Sequence, residues 1–430
     1  MKVLYFHQHF STPDGATGTR SYEFARALVA RGHKVTMVCG RCAMSSAAAN
    51  GGSSTKGRRV IEGIEVVELP LAYSNHDSLP KRAVVFLRFA WRSVLLALRE
   101  EYDLLFATST PLTAGIPGIV MRFFRRKPFV FEVRDLWPEL PKAMGVVKNP
   151  AVLYAMSALE WLSYRASDAC VGLSPGIVEG IKRRSKRGHR VEMIPNACDL
   201  ELFKPGDRAR LDIPGIARTD MVAVFTGAHG IANGLDAVLD AAGVLQRRAR
   251  SDIKIVFIGD GKLKPHLLRR VRAEKLDNCI FLDPMPKRRL KDVVANCDVG
   301  LMILSNIPAF YFGTSPNKFF DYLASGLPVI NNYPGWLGGL ISEHDCGVMV
   351  HPGDPQAFAD ALETLADRPE RRREMGRNAR ALGAREFSRA RLAARFVDWL
   401  EGVIDEGRRR TGLPEAISSE AVSSLSSGNN

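Results

Sequence analysis

The sequence predicts an α/β protein with two doubly wound parallel-sheet domains facing a cleft. Short apolar runs suited to buried parallel strands alternate with stretches of helical periodicity along most of the 430 residues. That alternation occurs in two sets, separated by a Pro/Gly-bearing stretch near residue 200. A hydrophobic share of 46% beside 25% charged residues is enough to fill two cores and still coat a soluble surface.

The first set opens with an apolar strand at residues 2–6, a polar loop from His9 to Thr19, and a helix on which Tyr22, Phe24, Ala25, Leu28 and Val29 recur at helical spacing. Gly32 closes that helix and residues 35–38 supply the next strand. Further strands are expected at 104–107, 129–133 and 169–173. The second set has strands at 221–225, 253–258, 280–282, 299–302 and 328–330. Between them lie Ile194-Pro195-Asn196 and Phe203-Lys204-Pro205-Gly206-Asp207, which suit an interdomain connection, so the domains are expected at 1–200 and 201–385. Residues 47–57 and 417–430 are rich in small and polar side chains and are expected to be mobile, the latter within a disordered tail at 411–430.

Composition narrows the class. The N-terminus opens on a strand instead of a signal peptide, and no run of eighteen apolar residues occurs, so the expected location is the cytoplasm, with peripheral attachment to the inner face of the cell membrane at most. Seven scattered cysteines fit packed thiols better than a disulfide framework, and the Cys39–Cys42 pair has no second pair at zinc spacing. A formal charge of +14 calls for an anionic partner: nucleic acid, anionic lipid or a phosphate-bearing substrate. No nucleic-acid-reading motif is visible, so no nucleic acid partner is expected.

The chemistry concentrates in residues 312–326. Ser315 is a good N-cap, Pro316 suits the first helical position and Gly326 suits the end. Free N–H groups at the start of that helix, approached past Gly313 and Thr314, form an anion site to which Lys318 adds a full positive charge. A diphosphate fits there. Asp321 lies three positions on, on the same helical face, and its carboxylate can accept hydrogen bonds from ribose hydroxyls. The competing reading is a capped helix carrying an ordinary Lys318–Asp321 surface ion pair.

This segment, with Gly-Leu-Pro-Val-Ile at 326–330, resembles the donor-binding signature of the family-four retaining glycosyltransferases, which have the GT-B fold. Residues 194–205 resemble that family's interdomain hallmark, Gly259-Asp260-Gly261 its second-domain glycine turn, and residues 131–139 a subgroup that builds bacterial O-antigen, capsule or exopolysaccharide units from N-acetylated hexosamines and deoxyhexosamines. The resemblance implies a nucleotide-sugar donor, UDP foremost, a lipid-diphosphate-linked saccharide acceptor, no metal or other cofactor, and a final helix over 386–410 that crosses back to the first domain. It makes Gly313, Thr314, Ser315, Asn317, Lys318 and Asp321 donor-binding, together with Gly227, Lys262 and Met285.

Two departures shift the workload. The family pairs two glutamates eight positions apart, and here those positions hold Gly313 and Asp321. Many members carry Arg and Lys where this chain has Ala228 and Asn233, so neutralisation of the diphosphate falls to Lys318, the helix start and Lys262. The first loop lacks a full dinucleotide fingerprint, which argues against NAD; the resemblance turns it towards the cleft near the transferred sugar and the diphosphate and makes Gly15 and Gly18 donor-binding. Arg134 and Asp135 follow a buried strand where charged groups do work, and with Lys318 they are the catalytic candidates, the alternative being an Arg–Asp pair that pins the loop.

Residues 81–99 form a basic amphipathic helix suited either to an anionic membrane surface, extended by residues 123–127, or to core packing with a solvated basic edge. The whole describes a retaining glycosyltransferase of surface-polysaccharide synthesis. The alternatives are a UDP-sugar 2-epimerase of the same fold, whose acidic and histidine set is not visible, and a basic nucleic-acid or membrane-binding scaffold.

Overall fold

The computed structural model describes residues 1–15, 17–42, 57–74, 77–206 and 213–411; the expectations for 47–56 and for the tail beyond 411 lie outside them. The first domain runs β1 (Lys2–Phe6), α1 (Arg20–Ala30), β2 (Lys34–Cys42), β3 (Arg58–Ile61), β4 (Ile64–Tyr73), α2 (Leu79–Arg99), β5 (Leu104–Thr108), α3 (Ile116–Phe124), β6 (Phe129–Val133), α4 (Glu139–Ala143), α5 (Pro150–Ala166), β7 (Ala169–Gly172), α6 (Pro175–Arg184) and β8 (Arg190–Met193). Its strands form one eight-stranded sheet in the order β3-β4-β2-β1-β5-β6-β7-β8, parallel except for the β3–β4 hairpin. The central strands are buried along their length, which is why they read as unbroken apolar runs. Strands β3, β4 and β8 have exposed or half-buried positions and lacked that signal. Cys39 and Cys42 both belong to β2, Cys39 with its thiol buried.

The second domain runs β9 (Met221–Thr226), α7 (Asp236–Arg247), β10 (Ile253–Ile258), α8 (Lys264–Glu274), β11 (Cys279–Leu282), α9 (Lys287–Val294), β12 (Val299–Met302), α10 (Ala309–Phe312), α11 (Asn317–Ser325), β13 (Val329–Asn331), α12 (Trp336–Glu343), β14 (Gly347–Met349), α13 (Pro355–Asp367) and α14 (Pro369–Glu386). Its six strands are all parallel, in the order β11-β10-β9-β12-β13-β14.

The last helix, α15 (Arg389–Thr411), packs on α1 of the first domain. Phe396 stacks on Phe24 with ring centroids 4.1 Å apart, and Arg31 and His33 pair with Asp398 and Glu401 at 2.8 Å. The exposed Arg31–Asp398 ion pair contributes little to stability. Burial of a phenylalanine contributes about 1.5–3 kcal/mol, so the apolar seam holds this helix.

The connection between domains is anchored from the first. Arg20 is buried on α1; its Nε donates to Glu132 at 2.8 Å, and its two Nη atoms donate to the carbonyls of Ile194 and Pro195. Glu132 also accepts from the Thr108 hydroxyl at 2.6 Å. A buried guanidinium is tolerated because Nε and both Nη atoms, along its edges, meet acceptors.

Candidate active site

A cavity of about 350 Å³ opens between the two domains. Its first-domain wall comes from residues just beyond the carboxyl ends of parallel strands: His7 after β1, Thr110 after β5, Arg134 and Asp135 after β6, Leu173 after β7. That is where an open parallel sheet leaves side chains unshielded by crossover helices. The opposite wall is the donor segment, Thr314 to Asn317, and the seam is Asn196.

Arg134 Nη1 lies 3.4 Å from His7 Nε2, and its backbone N–H donates to Ser109 Oγ at 2.9 Å. Burial, reinforced by the Arg134 charge, holds His7 well below the ordinary histidine range and His9 at about 4. Both imidazoles are therefore neutral at pH 7. His7 Nδ1 is buried without a partner, so the imidazole has a hydrogen-bonding position to offer a ligand. Burial pushes the Asp135 carboxyl up, opposed by the Arg134 charge and the Thr110 hydroxyl. Arg134 and Asp135 share the cavity wall with His7; Arg134 turns to the imidazole, Asp135 to Thr110.

Across the cavity, the helix start is shifted by one residue from the expected position. Pro316, with φ −70° and ψ 133°, occupies the N-cap and α11 begins at Asn317 with no side-chain cap. Ser315 is not the cap: its Oγ accepts from the Asn196 N–H at 3.1 Å, and the Asn196 amide donates to the Ser315 carbonyl. Ser174 Oγ likewise donates to the Phe312 carbonyl at 2.9 Å. These bonds fasten the segment carrying Gly313, Thr314 and Ser315 to the first domain and the hinge, and leave the first N–H groups of α11 for a ligand.

Lys318 reaches away from Asp321. Its Nζ lies 3.8 Å above the Phe225 ring centroid and donates to Asn233 Oδ1 at 2.8 Å. Asn233 stands where relatives of the resembling family carry a cation, and here it accepts one. Gly227 is the fourth member of this group, after Lys318, Phe225 and Asn233. Its φ of +131° excludes other residues, and a Cβ there would sit 3.3 Å from Lys318 Cε. Burial lowers the Lys318 ammonium to about 7, so without an anion beside it the lysine is poised between its charged and neutral forms.

Asp321 is not an open carboxylate. Both of its oxygens accept from Lys287 Nζ, at 2.9 and 3.0 Å, and both side chains are buried. The Lys318–Asp321 pair of the competing reading does not form, because α9 brings a better-placed cation. A ribose hydroxyl reaching Asp321 would meet an ion pair. Lys262 also departs from expectation: its Nζ points to the Asp77 carbonyl of the first domain at 3.5 Å, not towards Lys318. Met285 packs half-buried against the core before α9.

The first loop closes against the donor side. Gly15 accepts from the Lys287 N–H at 3.3 Å and Asp14 pairs with Arg288 at 2.6 Å. A Cβ on Gly18 would lie 2.6 Å from Asn317 Nδ2, so only glycine allows this approach without displacing the amide. Sequence reasoning missed His7, Thr110, Asn196 and Lys287. A rule that the first or second residue beyond each buried strand faces the cleft recovers the first two; the other two depend on tertiary contact alone. Among the described residues no group of three or more metal-ligating side chains occurs.

With this geometry in hand, the relatives are informative. Residues 15–197 match the family described as glycosyl transferase 4-like domain, and residues 209–382 match glycosyl transferases group 1. The chain belongs to the glycosyltransferases. A D-inositol 3-phosphate glycosyltransferase of Corynebacterium glutamicum is 30% identical over 226 residues, 48% of this chain and 50% of the relative, so the match spans about half the length of that protein. Sucrose-phosphate synthase of Thermosynechococcus elongatus superposes with a TM-score of 0.75 at 17% identity, over 94% of this chain and 99% of that one. HepE of Anabaena, solved with UDP-glucose, superposes with a TM-score of 0.67 at 17% identity, over 94% and 100%. The fold is GT-B: two parallel-sheet α/β domains with the cavity between them.

Proposed function

We propose that this GT-B protein transfers a sugar from a nucleoside diphosphate to a saccharide acceptor with retention of anomeric configuration. The observation that carries the reading is the pairing, across one cavity, of the uncapped start of α11 with the Arg134–Asp135–His7 wall, the half-buried Lys318 ammonium standing in the first turn of that helix. The diphosphate lies against α11 and Lys318, whose positive charge grows in worth as the phosphate departs, so no metal is required. The departing phosphate takes the acceptor proton on the same face of the sugar, with Asp135 and Arg134 orienting the reacting groups.

UDP is the favoured nucleotide, supported by the solved UDP-glucose complex of a protein with this fold. The sugar is an N-acetylated hexosamine or deoxyhexosamine and the acceptor a lipid-diphosphate saccharide in surface-polysaccharide synthesis. The enzyme then works at the cytoplasmic face of an anionic membrane reached through residues 81–99, and no helix among the described residues is long and apolar enough to cross a membrane. A thermal-shift screen of UDP, GDP and dTDP, followed by mass spectrometry of transfer from candidate sugar nucleotides, tests this. Stabilisation by UDP above the others is expected. No stabilisation by any of the three overturns the reading.

A further inference from the structure

Fourteen large apolar side chains are exposed among the described residues, and eleven of them are on three helices of the first domain, α2, α3 and α5. On α2, Leu79, Val84, Leu87, Trp91, Leu95 and Leu98 recur every three to five residues and form a stripe. The other side of the same helix buries Val85, Phe89, Val94 and Ala97 against the sheet. A helix apolar on two sides marks its outer side as an interaction surface.

The stripe continues onto its neighbours. Helix α3 packs against both α2 and α5, and it ends in Phe123 and Phe124, 64% and 80% exposed. Arg125 Nη1 donates to the carbonyl of Ala97 at 3.0 Å, binding the end of α3 to the end of α2. Helix α5 adds Val152, Tyr154 at 77% exposure, and Trp161, over which the Arg165 guanidinium sits at 4.7 Å.

The charge on this face has one sign. Arg88, Arg92 and Arg99 are exposed between the apolar positions of α2, and Arg126 follows α3. Neither α2 nor α3 contains an acidic residue, and the one carboxylate of α5, Glu160, is buried against Arg184. Beyond the end of α2, Glu100 pairs with Arg58 and Glu101 with Lys2.

We propose that α2, α3 and α5 together form an interfacial docking surface for an anionic bilayer, with Trp91, Phe123, Phe124, Tyr154 and Trp161 entering the headgroup boundary and the arginines meeting lipid phosphates. The face is three helices wide, whereas residues 81–99 supply only its first strip. Charge complementarity selects the occupant: interspersed cations without carboxylates match a plane of lipid phosphates, and set against a second copy of the same face they repel. The surface also borders the cavity. Phe86, on α2, lies 6.3 Å from His9 and 5.5 Å from Tyr73, ring to ring, and His9 lines the cavity. An acceptor whose lipid stays in the bilayer then presents its saccharide beside the first-domain wall. This last step rests on the proposed transferase reading; the docking face does not.

The test is vesicle flotation of the full chain with phosphatidylglycerol–phosphatidylcholine vesicles and with pure phosphatidylcholine, for wild type, W91S, F123S/F124S and R88Q/R92Q/R99Q. Wild type is expected to float with the anionic vesicles about tenfold more than with the neutral ones, the apolar variants to lose about tenfold, and the arginine variant to lose the anionic preference. Wild type remaining unbound to anionic vesicles, or all variants floating as wild type does, overturns the proposal. So does a dimer in light scattering that W91S dissociates while vesicles leave the protein free. Thermal shifts by UDP, expected unchanged in every variant, show that the variants fold and keep failure of the donor reading separate from failure of the docking face.

Discussion

Replacing Lys318 by methionine removes the ammonium while keeping a chain of similar length over Phe225. In the wild type that ammonium is already stripped of much of its water, 3.8 Å above the ring and 2.8 Å from Asn233 Oδ1. A unit charge on a diphosphate about 4 Å away gains about 4 kcal/mol at the effective dielectric of such sites. Lost ring and amide contacts offset part of this, so about 2–3 kcal/mol, or roughly 30- to 150-fold in the Kd for UDP, is expected to disappear in K318M. The pH dependence makes the test sharper. With the ammonium at about 7 before binding, the anion must recruit a proton at higher pH. The cost approaches about 1.4 kcal/mol per pH unit once the pH is well above 7, and because half of the ammonium is already neutral at pH 7, wild-type affinity falls about 15-fold between pH 7 and 8.5. The nucleotide's own phosphate titrates as well, and K318M carries that contribution alone. Isothermal titration calorimetry in buffers of different ionisation enthalpy reads the proton uptake directly. For the free protein the sign is the converse of a gained partner: between about 7 and 10.5 the unfolded chain holds the proton and the fold does not, so stability rises with pH across that window. K318M binding UDP as tightly as wild type, or the two showing the same pH profile, refutes the argument.

Three further outcomes follow from buried contacts. D321A leaves the Lys287 ammonium buried without its carboxylate and should lower stability by about 3–5 kcal/mol, whereas K287M/D321L should cost much less than the sum of the single changes; denaturant melts of the four proteins decide it. G18V should weaken donor binding by about 5- to 150-fold by overpacking against Asn317, with N317A restoring part of the loss, and calorimetry of the single and double variants checks the coupling. R20M strips Glu132 and the hinge carbonyls of their donor; a loss of about 3–5 kcal/mol is expected in urea melts, reduced when E132Q is combined with it.

The strands of both sheets were legible where they are buried on both faces, since parallel strands such as β5 and β9 leave an uninterrupted apolar run. Strands β3 and β8 were not, because their side chains alternate or sit half-buried at the sheet margins and the apolar signal fades. In the donor segment, Lys318 could be named from spacing and the helix start to within one residue. Ser315 could not be placed that way, because its hydroxyl is claimed by Asn196, 119 positions earlier. Local propensity counts only neighbours in sequence, and a hydroxyl bonds the nearest N–H in space.

From the sequence alone came the two-domain α/β architecture, the glycosyltransferase resemblance, and the amphipathic character of α2, all of which depend on short-range patterning. Tertiary structure alone decided the pairing of Asp321 with Lys287, the turn of Lys318 onto Phe225 and Asn233, the course of Lys262 towards Asp77, and the addition of α5 to the exposed apolar and basic face begun by α2 and the end of α3. Each joins residues from separate elements, and which cation reaches a given carboxylate depends on how two helices pack, a quantity that no window along the chain contains.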